Sequence, residues 1–216
     1  MELNQFDYLQ AMGITPWQLK SPSEKNAPCF NWDTLRTAVA QCKACNLHKT
    51  RTQTVFGVGN PQAKLLLIGE APGFYEDQKG EPFVGRAGLL LNQMLQAIGL
   101  ERKDVFIANI LKCRPPHNRD PNASEVAQCT PFLEKQIALI QPKLLLALGR
   151  IAAHYLLDSK LSLNQIRGKI HTFGMRQTPL IVTYHPAYLL RTPKDKGKAY
   201  QDLRLVMSKL NESGEM

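Results

Sequence analysis

The chain of 216 residues lacks the sequence features of membrane-spanning and secreted proteins. It has no apolar run of about 18 residues, which excludes a transmembrane helix. Its first ten residues, MELNQFDYLQ, include two acidic residues and lack the basic and apolar segments of a secretory signal. We therefore expect a cytoplasmic protein without a membrane partner.

Cysteine is scarce as well, and the chain has no internal repeat and no low-complexity tract. The five cysteines do not indicate a disulfide framework, because thiols stay reduced in the cytoplasm. Basic residues outnumber acidic ones, with a formal net charge of +9 and an isoelectric point near 9.4. This charge suits a polyanionic partner such as nucleic acid, although a soluble protein that is merely basic is an equally good interpretation.

The excess of positive charge lies beyond residue 40, and the composition changes at about the same place. The first thirty residues contain three prolines and the stretch SPSEKNAP, which is typical of a linker. We therefore assign residues 1–40 to an N-terminal extension or linker and residues 41–210 to a single domain.

Within this domain, apolar runs alternate with segments of helical periodicity. The predicted strands are KLLLIG (64–69), DVFIANIL (104–111), KLLLALG (143–149), KIHTF (169–173) and PLIVTYHP (179–186). The predicted helices cover 85–100, a segment from an N-cap at Asp120 with Pro121 as first helical residue to about Ile140, the short RIAAHYLL, and 195–210. This alternation predicts an α/β fold, a three-layer α/β/α sandwich with a central, mostly parallel sheet.

In such sheets, ligands bind at the carboxyl ends of the strands. The residues that the predicted strands deliver there are Gly69, Glu70, Asn109, Gly149 and His185. The loop after the first strand, GEAPGFYEDQKGEPFVGRAG, begins with a tight turn whose backbone N–H groups could hold an anion or a carbonyl oxygen. It is not a phosphate-binding P-loop, because no Gly-Lys-Ser/Thr follows.

Four cysteines have the spacing C-x2-C-x67-C-x15-C, formed by Cys42, Cys45, Cys113 and Cys129. A close pair with two remote partners fits a [4Fe–4S] cluster, and it also allows a tetrahedral zinc site. A redox-active CxxC pair is a third interpretation, but it leaves Cys113 and Cys129 unexplained. The spacing alone does not decide between zinc and a cluster. Cys29 stands apart, and we expect a free thiol.

Five features occur in a fixed order: GEAPGFYED, EPFVGRAG, NILKCRPPHNR, the four cysteines and HPAYLLR. Together they resemble the iron–sulfur, or family 4, uracil-DNA glycosylases, from about Cys42 to Arg191. The resemblance implies a uracil-DNA glycosylase fold and a [4Fe–4S] cluster held by the four cysteines. It also implies an enzyme of base-excision repair, which flips uracil out of single- or double-stranded DNA and hydrolyses the N-glycosidic bond to leave an abasic site. We expect a monomer.

The resemblance further implies roles for individual residues in the uracil pocket. Asn109 matches the residue that reads the edge of uracil, and Phe83 matches the aromatic residue that stacks on it. His185 matches the residue that donates to uracil O2 as negative charge develops there, and backbone N–H groups around Ala71 would share this task. Glu76 matches a residue near uracil C5 that is expected to exclude the methyl group of thymine.

The residue that positions the attacking water is less clearly indicated. Many members of the wider superfamily have Asp or Asn where this chain has Ala71, so a general base cannot be assigned by position. We expect His185 to supply the main catalytic effect and Glu70 to position water.

The segment HPAYLLRTPKDKGKAY is expected to face DNA. Tyr188, Leu189 and Leu190 are apolar side chains that could fill the gap left by the flipped base. Arg191 and the lysines that follow it could bind phosphates.

Two alternatives belong to other classes of function. The chain could be a non-catalytic nucleic-acid-binding protein whose metal site only stabilises the fold. An electron-transfer protein is disfavoured, because no second cofactor motif accompanies the cysteines.

Overall fold

The structure is a computed structural model, and it describes residues 12–13 and 31–212. The chain divides into two compact units between Phe30 and Asn31. Cys29 and most of the expected N-terminal extension lie outside the described residues. Trp32–Ala40, assigned to that extension from the sequence, forms a helix within the second unit, where the Trp32 ring packs on the rings of Phe56 and Phe106.

The described residues form eight α-helices and six strands. The helices are α1 (Trp32–Ala40), α2 (Phe74–Lys79), α3 (Arg86–Gln96), α4 (Ala123–Ile140), α5 (Arg150–Leu157), α6 (Leu163–Ile166), α7 (Pro186–Arg191) and α8 (Lys196–Glu212). The strands are β1 (Val58–Gly59), β2 (Leu65–Gly69), β3 (Phe106–Asn109), β4 (Leu144–Leu148), β5 (Ile170–Phe173) and β6 (Thr178–Thr183). None of these helices has the length and apolar character needed to cross a membrane.

The strands form one sheet in the order β1-β3-β2-β4-β6-β5. The four central strands are parallel, and β1 and β5 pair antiparallel at the two edges. Every residue of β2, β3 and β4 is buried, as expected for parallel strands covered on both faces. The predicted mostly parallel sheet is confirmed.

Helices cover both faces of this sheet. Side chains of α3 and α8 form one hydrophobic core with Leu65 and Leu67 of β2 and with alternate residues of β4. The intervening residues, such as Leu66 and Leu145, point to the other face and are fully buried, and α5 contacts β2 and β4 there. The α/β sandwich inferred from the sequence is therefore present.

The start of α4 differs from the prediction. Asp120 was expected to cap this helix, but the helix begins at Ala123 with Asn122 as its N-cap. The reason is a competing set of contacts, because the Glu125 carboxylate accepts the Asn122 N–H at 2.9 Å and pairs with Arg119 at 2.6 Å. Asp120 is thereby left in the loop before the helix.

The sheet brings the ends of three strands together. Gly69 and Asn109 are register partners at the carboxyl ends of β2 and β3, and His185 follows the end of β6. The register requires glycine at position 69, because a Cβ there would overlap Asn109 Oδ1 and lie 2.8 Å from Cζ of Phe83. A single residue without a side chain thus lets Asn109 and Phe83 approach the same point.

Candidate active site

A cleft of about 450 Å³ lies at the carboxyl ends of β2, β3 and β6. Its lining includes every residue that the sequence assigned to the uracil pocket or to catalysis: Glu70, Ala71, Glu76, Phe83, Asn109 and His185. It also includes Asn118, Arg119 and Asp120, to which no role in the site was assigned from the sequence. Asn118 and Arg119 belong to the motif NILKCRPPHNR, and Asp120 was expected only as a helix cap.

Asn109 presents an unusual polar atom to this cleft. The residue is only 3% exposed, and its Oδ1 has no hydrogen-bond partner among the described residues. A buried acceptor without a partner costs about 1–3 kcal/mol and is rare in native proteins. The amide oxygen is therefore available to a donor on a ligand that enters the cleft.

Phe83 belongs to both the cleft and the core. It is 7% exposed and packs in the hydrophobic core, yet its ring lines the cleft at 5.5 Å from the His185 ring, between ring centroids. Its backbone φ of 55° is unfavourable for a residue with a side chain. Arg102 holds this conformation by donating to the carbonyl oxygens of Pro82 at 2.8 Å and Phe83 at 3.2 Å. No sequence motif indicated this role for Arg102.

Glu76 supports the same loop from the other side. Its Oε1 accepts the backbone N–H groups of Val84 at 3.1 Å and Gly85 at 3.3 Å. The carboxylate therefore fixes the residues that follow Phe83 while it lines the cleft. A structural role and a pocket role are thus compatible at this position.

His185 is held as a neutral imidazole with a defined tautomer. It is the N-cap of α7, and its Nδ1 accepts the Ala187 N–H at 3.1 Å, so the ring proton must lie on Nε2. Burial, reinforced by the positive charge of Arg191, lowers the pKa of His185 to about 4. At neutral pH the ring is an uncharged hydrogen-bond donor in the wall of the cleft.

Burial disfavours the charged form of Glu70 as well, and for a carboxyl group this raises the pKa. Burial, followed by the negative charge of Asp120, raises the pKa of Glu70 to about 7, while Arg150 lowers it. Arg150 pairs with Asp120 at 3.0 Å, so the two effects on Glu70 come from one ion pair. A carboxylate with this pKa can exchange a proton near neutral pH.

The four predicted metal ligands line a second pocket. Cys42, Cys45, Cys113 and Cys129 are free thiols that surround one cavity, together with Arg51. The described residues contain no group of three or more His, Cys, Asp or Glu side chains that could hold a single metal ion. The four cysteines nevertheless line one shared cavity.

Two of these thiols receive hydrogen bonds. Arg51 Nη1 donates to Cys113 Sγ at 3.0 Å, and the backbone N–H of Lys112 donates to Cys129 Sγ at 3.2 Å. Burial raises the pKa of both thiols, that of Cys129 to about 11. Bare thiolates would therefore be unfavourable here, and a bound cationic group would favour them.

Lys112 links this cysteine pocket to the cleft. Its side chain is 1% exposed, and its Nζ donates to the carbonyl oxygen of Asn109 at 2.8 Å and to Gln136 Oε1 at 2.6 Å. Gln136 in turn donates to the carbonyl oxygen of Phe56 at 2.8 Å. One residue thus contacts a cysteine through its backbone and the strand end that carries Asn109 through its side chain.

The segment expected to face DNA has a mixed placement. Tyr188 and Arg191 line the cleft, but the Tyr188 hydroxyl donates to Asp195 at 2.7 Å and its ring stacks on Tyr184. Leu189 is 1% exposed and packs in the core, so it cannot contact DNA in this conformation. Leu190, 36% exposed, is the leucine on the surface, because neighbouring residues of α7 point in different directions.

Comparison with known proteins places these features in a family context. The family model described as the uracil DNA glycosylase superfamily matches residues 56–204. The chain is 41% identical to the Type-4 uracil-DNA glycosylase of Archaeoglobus fulgidus, over 81% of this chain and 90% of that protein. It is 42% identical to that of Saccharolobus solfataricus, over 84% and 87%, and 41% identical to that of Thermotoga maritima, over 82% and 93%.

Proposed function

The chain belongs to the uracil DNA glycosylase superfamily, and on this premise we propose that it is a uracil-DNA glycosylase of base-excision repair. It flips uracil out of DNA, hydrolyses the N-glycosidic bond and releases free uracil, leaving an abasic site. The observation that carries the proposal is the unpartnered Oδ1 of Asn109, buried in a cleft that also presents an aromatic ring and a neutral histidine.

Asn109 supplies base recognition. Uracil presents an N3–H donor next to carbonyl acceptors, and an amide offers one acceptor and two donors. Oδ1, which lacks a partner among the described residues, would accept the N3–H, and the amide NH₂ would donate to a neighbouring carbonyl oxygen. Phe83 provides a face for stacking at the same place, because Gly69 leaves room for both side chains.

His185 supplies stabilisation of charge. As the bond to the sugar breaks, negative charge develops on the uracil ring, and the Nε2–H of a neutral imidazole can donate to O2 without giving up its proton. The hydrogen bond from Ala187 fixes the tautomer that this role requires. The ring needs no rearrangement during the reaction.

Glu70 is the candidate for positioning water on the face of the sugar opposite to the leaving base. Its pKa of about 7 leaves a substantial fraction ionised at neutral pH, so it can accept a hydrogen bond or a proton from water. Glu76, fixed by the N–H groups of Val84 and Gly85, would limit the space beside uracil C5 and disfavour the methyl group of thymine.

We assign Cys42, Cys45, Cys113 and Cys129 as the ligands of a [4Fe–4S] cluster. Four thiols that line one cavity, as a close CxxC pair with two remote partners, suit such a cluster, and N–H donors to two of the sulfurs suit thiolate ligands. The bound group would supply structural reinforcement, joining the segment before β1 to the loop after β3. Iron and sulfide analysis with a visible absorption spectrum tests this assignment.

DNA contacts are assigned to the surface of α7 and the residues after it. Arg191, Lys194 and Lys196 can meet phosphates, and Leu190 replaces Leu189 as the apolar residue that enters the duplex. We further propose that the protein acts as a cytoplasmic monomer. Size-exclusion chromatography with light scattering tests the oligomeric state.

Uracil release is the decisive experiment for the function. The metal-loaded protein is incubated with a uracil-containing oligonucleotide, and abasic sites are then cleaved with alkali. We expect cleavage at uracil, and we expect His185→Gln to lower the rate by about 10²–10³, as for loss of one oxyanion donor. Intact strands across a range of pH and salt would overturn the proposal.

A further inference from the structure

Helix α2 has an inverted distribution of polar and apolar side chains. Asp77 is buried, 2% exposed, and its carboxylate accepts the backbone N–H of Thr52 at 3.0 Å. Phe74 and Tyr75, in the first turn, are 50% and 62% exposed. A helix normally turns its aromatic residues inward and its acids outward. The fold thus leaves two neighbouring aromatic rings at least half exposed to solvent.

The two rings and one arginine form a continuous surface, here called the aromatic shelf (Phe74, Tyr75 and Arg114). The rings meet edge to face with their centroids 5.5 Å apart. The Arg114 guanidinium lies over the Phe74 ring, 5.0 Å from its centroid, and its Nε donates to Asn118 Oδ1 at 2.8 Å. Aromatic faces beside a fixed guanidinium are the pattern with which proteins bind unpaired nucleotides, by base stacking and phosphate contact.

The shelf adjoins the cleft. Gly73, Glu76 and Asn118 line the cleft, and each touches or neighbours a shelf residue. Gly73 is the N-cap of α2, and Tyr75 packs beside Gly85, whose N–H is bound by Glu76. A strand with its uracil in the cleft would therefore pass the shelf with an adjacent nucleotide.

We propose that the aromatic shelf binds an unpaired base next to the flipped uracil, so that the enzyme acts best on single-stranded or locally opened DNA. This inference rests on the proposed function and adds a substrate class to it. In a duplex the neighbouring bases are already paired and stacked, so exposed aromatic rings offer them little. An unpaired base has a free face to stack, and the Arg114 guanidinium of the shelf complements the charge of its phosphate.

The test compares uracil release from a single strand and from the same strand in a U:A duplex. We expect the double variant Phe74→Ser/Tyr75→Ser to lower kcat/KM on the single strand by about 10-fold, in line with loss of base stacking. On the duplex, the change should stay within about 2-fold, since neighbouring bases there do not use the shelf. Leu161→Ser, which removes an exposed apolar side chain elsewhere, is the control for surface polarity.

The outcomes separate the shelf from the proposed function. If the parent protein releases uracil, the double variant decides the role of the shelf. An unchanged kcat/KM on both substrates, or an equal loss on both, would contradict the proposal that the shelf binds an unpaired base. Parent protein that releases no uracil from either substrate would overturn the proposed function. In that case, fluorescence anisotropy with a uracil-free single strand still tests the shelf, because binding must weaken in the double variant and stay unchanged in Leu161→Ser.

Discussion

The cysteine pocket and the cleft both include residues of the loop after β3, but they differ in how their buried polar atoms are hydrogen bonded. In the pocket, Cys113 and Cys129 each receive a hydrogen bond. In the cleft, Asn109 Oδ1 is buried with no partner among the described residues, and Phe83 is held at an unfavourable φ. Described contacts thus hold two sulfurs of the pocket in place, whereas the cleft keeps a buried acceptor without such a contact.

Replacing Asn109 should cause the largest loss of activity without a loss of stability. We expect Asn109→Leu to lower uracil release by about 10³–10⁴, because a site built on hydrogen bonds loses strongly when one partner is removed. The melting temperature should stay unchanged or rise, since the variant removes a buried acceptor that has no partner. Rates and thermal melts measured on the same preparation check this. A large loss of stability would show that the amide supports the fold.

Replacing a cysteine should have the opposite effect. We expect Cys113→Ala to lose iron and visible absorption and to lower the free energy of unfolding by about 3–5 kcal/mol, through loss of a bound structural group. Cys29→Ala is the matched control and should retain its iron. Iron analysis and denaturant titration measure both. A Cys113→Ala protein with full iron and parental stability would remove Cys113 from the ligand set.

Glu70 should make the rate of uracil release depend on pH. We expect the parent rate to fall as pH decreases through about 7, and Glu70→Gln to lose this dependence with a rate about 10²-fold lower. The raised pKa means that Glu70 favours folding below its ordinary pKa of 4.5 and loses this contribution as pH rises through about 7. Glu70→Gln should therefore be at least as stable as the parent at pH 8. Glu81→Gln, at an exposed position, is the control. A Glu70→Gln protein that keeps the parental pH profile would show that Glu70 is not the group responsible for the pH dependence.

Lys112 joins the two regions, and its replacement should have the smallest effect on each. Lys112→Met leaves the carbonyl oxygen of Asn109 and Gln136 Oε1 without their donor, which costs about 1–3 kcal/mol of stability. We expect a higher KM, because the strand end that carries Asn109 loosens, with little change in kcat. Lys103→Met, on the surface, is the control. An unchanged KM in Lys112→Met would show that the two regions are independent.

The sheet and the central site residues were accessible from sequence because they follow local rules. Apolar strands end at Gly69, Asn109 and Thr183, and the strand-end rule then directs attention to Glu70, Asn109 and His185. Ordered motifs supplied the roles, which the sheet geometry alone would not give. The four cysteines needed both their spacing and the family resemblance.

The features that sequence did not reveal depend on tertiary contacts. Arg102 supports Phe83 from nineteen residues away, and Lys112 is buried although lysine is usually exposed. Leu189 and Leu190 are chemically identical neighbours, and only the orientation of the short α7 decides which one is buried. The Glu125 carboxylate moved the start of α4 from the expected Asp120 cap to Asn122.

Gly69 sets a limit on how the specificity of this pocket could be redesigned. Any Cβ added at this position would collide with the Asn109 amide and the Phe83 ring, and both of these residues line the cleft. Engineering for a larger or differently shaped base therefore cannot proceed through a new side chain on the end of β2. It must instead change other residues that line the cleft, such as Glu76 or residues in the loop after β3, while position 69 stays glycine.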